Sequence, residues 1–142
     1  MRLSENRRAS SWVLGACGVW LVALGAYFIG LRPPLLPEDT RFMGTTLAAI
    51  QADVPGLARW LRNVFGVLGG FIAGAGVLTV YLAAVVLPLR IKGASWAIAL
   101  SGLLTVVFMS ATNFALHSDF RWLLLLPAVA WVAALVLYIA RR

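Results

Sequence analysis

At 142 residues, with 62% hydrophobic side chains, 12% charged ones and a mean hydropathy of +0.92, the chain has too little polar sequence to clothe a globular surface in water. Its formal net charge of +7 does not mark a nucleic-acid protein, because the twelve Lys and Arg residues stand at the ends of apolar segments and form no basic stripe. Lipid is the expected solvent, membrane lipids are the expected partners, and nucleic acid is excluded.

Four apolar stretches, roughly 12–31, 63–88, 94–116 and 122–140, each reach the ~18–20 residues that a helix needs to cross a bilayer. They predict an all-α fold, an integral membrane four-helix bundle forming one domain over residues 1–142. What is left over is a short basic tail, the connection 32–62 and two turns, too little for a separate soluble domain.

The first stretch follows Arg7-Arg8 as a secretory signal would, yet it runs on to Arg32 with no small-x-small exit, which predicts a retained anchor. Leu14-Gly15-Ala16-Cys17 is similar to a lipoprotein lipobox, but the apolar run continues past it. Cys17 therefore reads as a small apolar residue within the helix, and as the lone cysteine it excludes an intrachain disulfide or a CxxC couple. Pro33, Pro34 and Pro37 end this helix.

The connection 32–62 is the strongest candidate for a functional surface. It sets prolines, Glu38 and Asp39, Arg32 and Arg41, and the apolar Leu35, Leu36, Phe42 and Met43 within a few residues. It reads as a structured lid over the bundle, as a platform for a partner or amphiphile, or, least favoured, as a catalytic pair of carboxylates. Adjacent carboxylates point in different directions, which argues against the pair. From Thr45 or Thr46 a hydroxyl cap leads into a short interfacial helix over Leu47–Ala52, and Pro55 suits a first helical turn before Trp60, which would sit at headgroup depth.

In the second span Gly66, Gly70 and Gly74 recur at four-residue spacing, with Gly69, Ala73 and Gly76 alongside. Such a glycine zipper predicts a helix-packing seam, within the bundle or toward a second copy or a membrane-protein partner; bare backbone open to a ligand is a third reading. Ala26 and Gly30, Ala97 and Ser101, and Ala130 and Ala134 supply complementary small pairs. Pro88 and Arg90-Ile91-Lys92-Gly93 make a tight basic turn before the third span.

That span carries Asn113, with Ser110 and Thr112 beside it. Asn113 is expected to bond between helices or to meet a lipid or quinone headgroup. Ser118 or Asp119 is expected to cap the fourth helix, and Pro127 to kink it or free a carbonyl. Trp12, Trp20, Trp96, Trp122, Trp131 and Tyr138 include several residues placed for interfacial belts.

Positive charge orients the chain. Arg2, Arg7, Arg8, Arg90, Lys92, Arg141 and Arg142 fall on one side, and Arg32, Arg41, Arg59, Arg62 and Arg121 on the other, which predicts both termini in the cytoplasm. No ionisable residue occupies the middle of a span, so the buried relay of an ion-coupled carrier is not expected. His117 and Asp119 form too common a pair to signify catalysis, and neither a cofactor nor a metal site is expected.

Gly25-Ala26-Tyr27-Phe28 closing the first span, the amphipathic connection, and Arg62-Asn63-Val64-Phe65-Gly66 leading to Gly69-Gly70 give a layout that resembles the small bacterial DoxX-like four-helix membrane proteins. The resemblance implies a compact bundle in a bacterial inner membrane with no assigned reaction, and no catalytic residue follows from it. Two functions are expected. The first is a non-enzymatic accessory or structural component; the alternative is binding or passage of a lipid, quinone or other uncharged amphiphile. The contact residues would be Glu38, Asp39, Arg41, Arg62 and Asn113, with Gly66, Gly70 and Gly74 as the seam.

Overall fold

A computed structural model describes the backbone of residues 2–140 and the side chains of residues 8–140. The described residues form six helices and no strand: α1 (Arg2–Gly30), α2 (Pro37–Met43), α3 (Leu47–Asp53), α4 (Leu57–Leu89), α5 (Ala94–Ala115) and α6 (Arg121–Ile139). Four are long and apolar enough to span a membrane: α1 from Arg8 onward, α4, α5 and α6, with 23, 33, 22 and 19 residues. The expected all-α four-helix membrane bundle is borne out. Phe71, Leu78, Leu104, Phe108 and Leu126 lie on its outside, an apolar surface suited to hydrocarbon.

Helix α1 is central, packing along α4 on one side and α6 on the other, while α6 also packs on α5. The core gathers Leu14, Cys17 and Leu21 from α1, Ala83 and Leu87 from α4, Ile98 and Val106 from α5, and Ala128, Trp131, Ala134 and Tyr138 from α6. At the loop end of the bundle lie residues 31–56 and the turn 116–120; at the opposite, basic end lie Arg8 and the turn carrying Arg90 and Lys92. The Arg90 guanidinium stands 5.2 Å from the ring centroid of Tyr138, tying that turn to the last helix. Arg141 and Arg142, with the side chains of Arg2 and Arg7, lie outside the described residues.

The glycine seam is on a different face from the one expected. A Cβ at Gly25 would fall 2.5 Å from both Gly69 O and Ala73 N, and one at Gly76 would fall 2.7 Å from Gly18 O and Val22 N. Gly66, Gly70 and Gly74 have nothing within 4 Å of that position, and Gly70 and Gly74 are exposed. As an internal seam, Gly66-Gly70-Gly74 is therefore corrected to Gly69, Ala73 and Gly76. Their partners on α1 are Gly18 and Gly25, not Ala26 and Gly30, which are exposed. The physical reason lies in the period: Gly18 and Gly25 are seven apart, as are Gly69, Gly76 and Ala83. A seven-residue repeat keeps facing its partner over several turns, whereas a four-residue repeat drifts around the helix.

Two π-helical turns interrupt the spans, over Leu82–Val86 and Leu103–Val107. The first precedes Pro88, whose ring would clash with an upstream carbonyl in a regular helix; there the Leu87 N–H reaches back to Leu82 O. The second follows Gly102, against which the Trp131 indole lies so closely that any Cβ would intrude on it. Trp131 Nε1 donates to Ile98 O at 2.9 Å, so the indole is a core strut and not a belt residue. Tyr138 is likewise buried. The exposed tryptophans divide by end: Trp12 and Trp96 toward the basic end, Trp60 and Trp122 toward the loop end.

Candidate functional site

The segment after α1 is held by its own chemistry. Leu31 and Arg32 both donate backbone N–H to Tyr27 O at 2.8 Å, and the prolines then turn the chain across the bundle. This segment was expected as a structured lid, with no helix assigned to it. Its sequence nonetheless carries a full set of helix signals: Pro37 at the first position, Glu38 and Asp39 in the first turn, and Gly44 beyond the end at φ 68°. Asp39 Oδ2 accepts the Leu36 N–H at 2.7 Å, and the Thr45 N–H returns to Thr40 O at 3.1 Å. Thr46 then opens α3, its hydroxyl accepting the Ala49 N–H at 3.2 Å.

Three carboxylates and two guanidiniums fasten this lid. Glu38 accepts from Ser118 Oγ at 3.0 Å and from the Asp119 N–H at 2.8 Å, joining α2 to the turn before α6. Arg41 Nη2 lies 3.0 Å from both oxygens of Asp119, an exposed pair of small energetic value. Asp39 pairs with Arg32 at 3.5 Å. Arg32 is the least exposed of the ion-paired side chains, its guanidinium 3.6 Å from the ring centroid of Phe65 and 5.3 Å from that of Phe28. Its Nη1 also donates to Pro33 O at 2.9 Å and Pro34 O at 3.5 Å. As expected, Glu38 and Asp39 diverge.

Beneath the lid is a cavity of about 400 Å³. Its walls are Trp20, Ala23, Leu24, Tyr27 and Phe28 of α1, Met109 and Asn113 of α5, and Phe120, Leu123 and Leu124 at the start of α6; Arg32, Leu36, Glu38 and Ser118 roof it. Trp20, Ala23, Leu24 and Tyr27 share one face of α1 through their i, i+3, i+4, i+7 spacing. Ala23, Phe120 and Leu123 are exposed, so the cavity opens sideways toward the surrounding lipid. The size falls within the range of small-molecule sites, and the lining is apolar with few polar groups, as ligand pockets are.

Of the residues singled out from sequence, Glu38 and Asn113 line this cavity, and Asp39 and Arg41 secure its roof from outside. Arg62 stands apart, exposed on α4, and among the described residues it makes no hydrogen bond or ion pair. Among the described residues Asn113 does not bond between helices: its Nδ2 donates to Met109 O on its own helix at 2.9 Å, and its Oδ1 has no described partner. Asp119, weighed as a neighbour of His117, binds Arg41. Ser118 does not cap α6, whose N-cap is Phe120; its hydroxyl donates to Glu38 and accepts the Phe120 N–H at 3.1 Å.

Sequence reasoning missed Trp20, Tyr27 and Phe120 as cavity residues and Arg32 as the roof's anchor. The seven-residue step from Trp20 to Tyr27 was the available signal for the first two. Pro127 lies within α6, and its carbonyl accepts from Cys17 Sγ at 3.8 Å. Having no N–H, Pro127 leaves Leu123 O, at the cavity wall, without its usual intrahelical donor. Among the described residues no group of three His, Cys, Asp or Glu side chains is placed to hold a metal ion. Compared with protein-family models, with curated proteins and with solved structures, the chain matches none.

Proposed function

We propose that this chain is a non-enzymatic accessory protein of a bacterial inner membrane, both termini cytoplasmic, that binds or passes a lipid or other uncharged amphiphile in the lidded cavity. The observation that carries the reading is the cavity itself. About 400 Å³ of apolar space opens toward lipid between α1, α5 and α6, with its polar groups gathered at the loop end under a hydrogen-bonded lid. An apolar tail would lie against Trp20, Leu24 and Met109 while the head stays beside Tyr27 and Asn113. The basic end, with Arg8, Arg90 and Lys92, supports the orientation. Kinship with the DoxX-like bundles, in the layout around Arg62–Gly66 and Gly69-Gly70, belongs to the same proposal.

Native mass spectrometry of protein released gently from its own membrane tests it. The wild type is expected to retain a discrete small-molecule mass. Ala23→Trp, which fills the cavity from an exposed wall position, is expected to lose that mass while remaining folded. Equal retention by both proteins would refute the cavity as the binding site.

A second reading, assembly with another copy or partner, is favoured by the exposed face bearing Gly70 and Gly74, which nothing among the described residues approaches. In the same spectra Gly70→Leu would then lower the subunit stoichiometry without loss of the retained mass.

A further inference from the structure

The polar groups around the cavity fall into two sets, and the division bears on what the cavity takes. The charged set is engaged within the chain. Arg32 is stacked on Phe65 at 3.6 Å, paired with Asp39 at 3.5 Å, and donating to two proline carbonyls. Both oxygens of Glu38 already accept hydrogen bonds, from Ser118 Oγ at 3.0 Å and the Asp119 N–H at 2.8 Å. The second set is uncharged: Tyr27, Trp20 and Asn113 line the same space, and the Tyr27 hydroxyl, the Trp20 indole N–H and Asn113 Oδ1 have no hydrogen-bond partner among the described residues. The uncommitted groups thus comprise donors and acceptors, while the lining charges, the Arg32 guanidinium and the Glu38 carboxylate, are of opposite sign and already engaged.

We propose that the cavity selects a neutral amphiphile, an aliphatic tail bearing hydroxyl or carbonyl groups, over an otherwise identical anionic one. The inference rests on the cavity reading above and adds the chemistry of the head. A phosphate placed under the lid would lie beside the half-buried Glu38 carboxylate, and the two like charges would repel. To gain Arg32 it would have to displace Asp39 and the proline carbonyls. A hydroxyl or carbonyl head needs no such rearrangement. A hydroxyl head can donate to Asn113 Oδ1 and exchange hydrogen bonds with Tyr27, a carbonyl head can accept from the Tyr27 hydroxyl, and in neither case is a paired charge disturbed. Trp20, seven residues from Tyr27 on the same face and so ~10 Å deeper along the helix, offers a further donor toward the tail.

The test uses the full chain in phosphatidylcholine nanodiscs and a monoacylglycerol carrying a diazirine in its tail. Photolabel is expected in cavity-lining peptides of α1, α5 or α6. Monolauroylglycerol should displace it at a concentration at least about tenfold lower than lauroyl lysophosphatidate, which has the same tail. Asn113→Leu should raise the monolauroylglycerol concentration required about five- to tenfold, and Arg62→Ala should leave it unchanged. Glu38→Gln, which removes the charge and keeps one acceptor for Ser118, should narrow the gap between the two competitors, an effect no purely structural role would produce. If lysophosphatidate competes as well as or better than the glycerol ester, the neutral-head inference is overturned while the cavity stands as a binding site. If label falls outside the cavity peptides, the cavity reading itself is overturned.

Discussion

Gly25→Leu is expected to abolish accumulation of folded protein, whereas Gly70→Leu leaves it unchanged. At Gly25 even the first carbon of a side chain would lie 2.5 Å from the backbone of α4 at two atoms, Gly69 O and Ala73 N. Main chain cannot rotate aside as a side chain can, so α1 and α4 must separate along their length, and α1 is the helix on which both α4 and α6 pack. Overpacking a core by a methylene or two costs about 1–3 kcal/mol; forcing two backbones apart is expected to exceed about 4 kcal/mol, enough to unfold most domains. Gly76→Leu should behave alike, because its Cβ would fall 2.7 Å from Gly18 O. Gly70 faces outward with nothing within 4 Å, and leucine there adds apolar surface to a lipid-facing side and raises helix propensity. Size-exclusion profiles and thermal unfolding of the detergent-solubilised variants measure the difference. Loss of fold at Gly70→Leu with tolerance at Gly25→Leu would place the seam on the other face.

The second large effect is expected at Glu38. Glu38→Leu removes the acceptor for both the Ser118 hydroxyl and the Asp119 N–H, and Ser118 is only 2% exposed, so water replaces the lost partner poorly. Leaving the buried Ser118 donor unsatisfied costs about 1–3 kcal/mol, and the exposed Asp119 N–H loses a bond to a charged acceptor, which stands at the upper end of the usual range. Helix α2 has no buried residue to hold it otherwise. The expected result is a detached lid: hydrogen exchange over residues 32–46 accelerates by about 30-fold or more, equivalent to ~2 kcal/mol, while the spanning helices keep their protection. Arg41→Ala, which removes an exposed pair, should accelerate the same exchange by less than about fivefold. Equal effects of the two substitutions would mean that the Glu38 bonds do not hold the lid.

What the sequence disclosed, and what it did not, follows from the range of the forces involved. The four spans were legible because membrane crossing depends on the length of an apolar run, a local property. Helix α3 was legible because Thr46 and the residues after it carry its cap and its apolar positions within a single turn or two. Helix α2 was equally local and was passed over, since Pro37 was weighed as a helix breaker and not as a first-turn residue. The seam depended on choosing between two glycine periods in one helix; Gly18 and Gly25 in α1 held the answer at seven-residue spacing.

Other features were beyond any local reading. The bond from Glu38 to Ser118 spans 80 positions, and that from Trp131 to Ile98 spans 33. The π-helical turns over Leu82–Val86 and Leu103–Val107 arise where Pro88 and the Gly102–Trp131 contact are accommodated, consequences of packing as much as of sequence. The cavity is a space between helices, and of its polar residues Asn113 and Glu38 were visible because a polar side chain in or beside an apolar span is conspicuous. Arg32 was counted as a topological charge and as one of the charges of the outer connection, but nothing local reveals that its guanidinium stacks on Phe65.

Crystals grown from a lipid mesophase, with the protein purified from its own membrane and never delipidated, would test the binding reading most directly. Elongated density between Trp20 and Met109, ending in a polar head within hydrogen-bond distance of Tyr27 or Asn113, is the expected result. A cavity closed by inward movement of Phe120 and Leu123, with α1 and α6 in contact along their full length and no bound molecule, would contradict it.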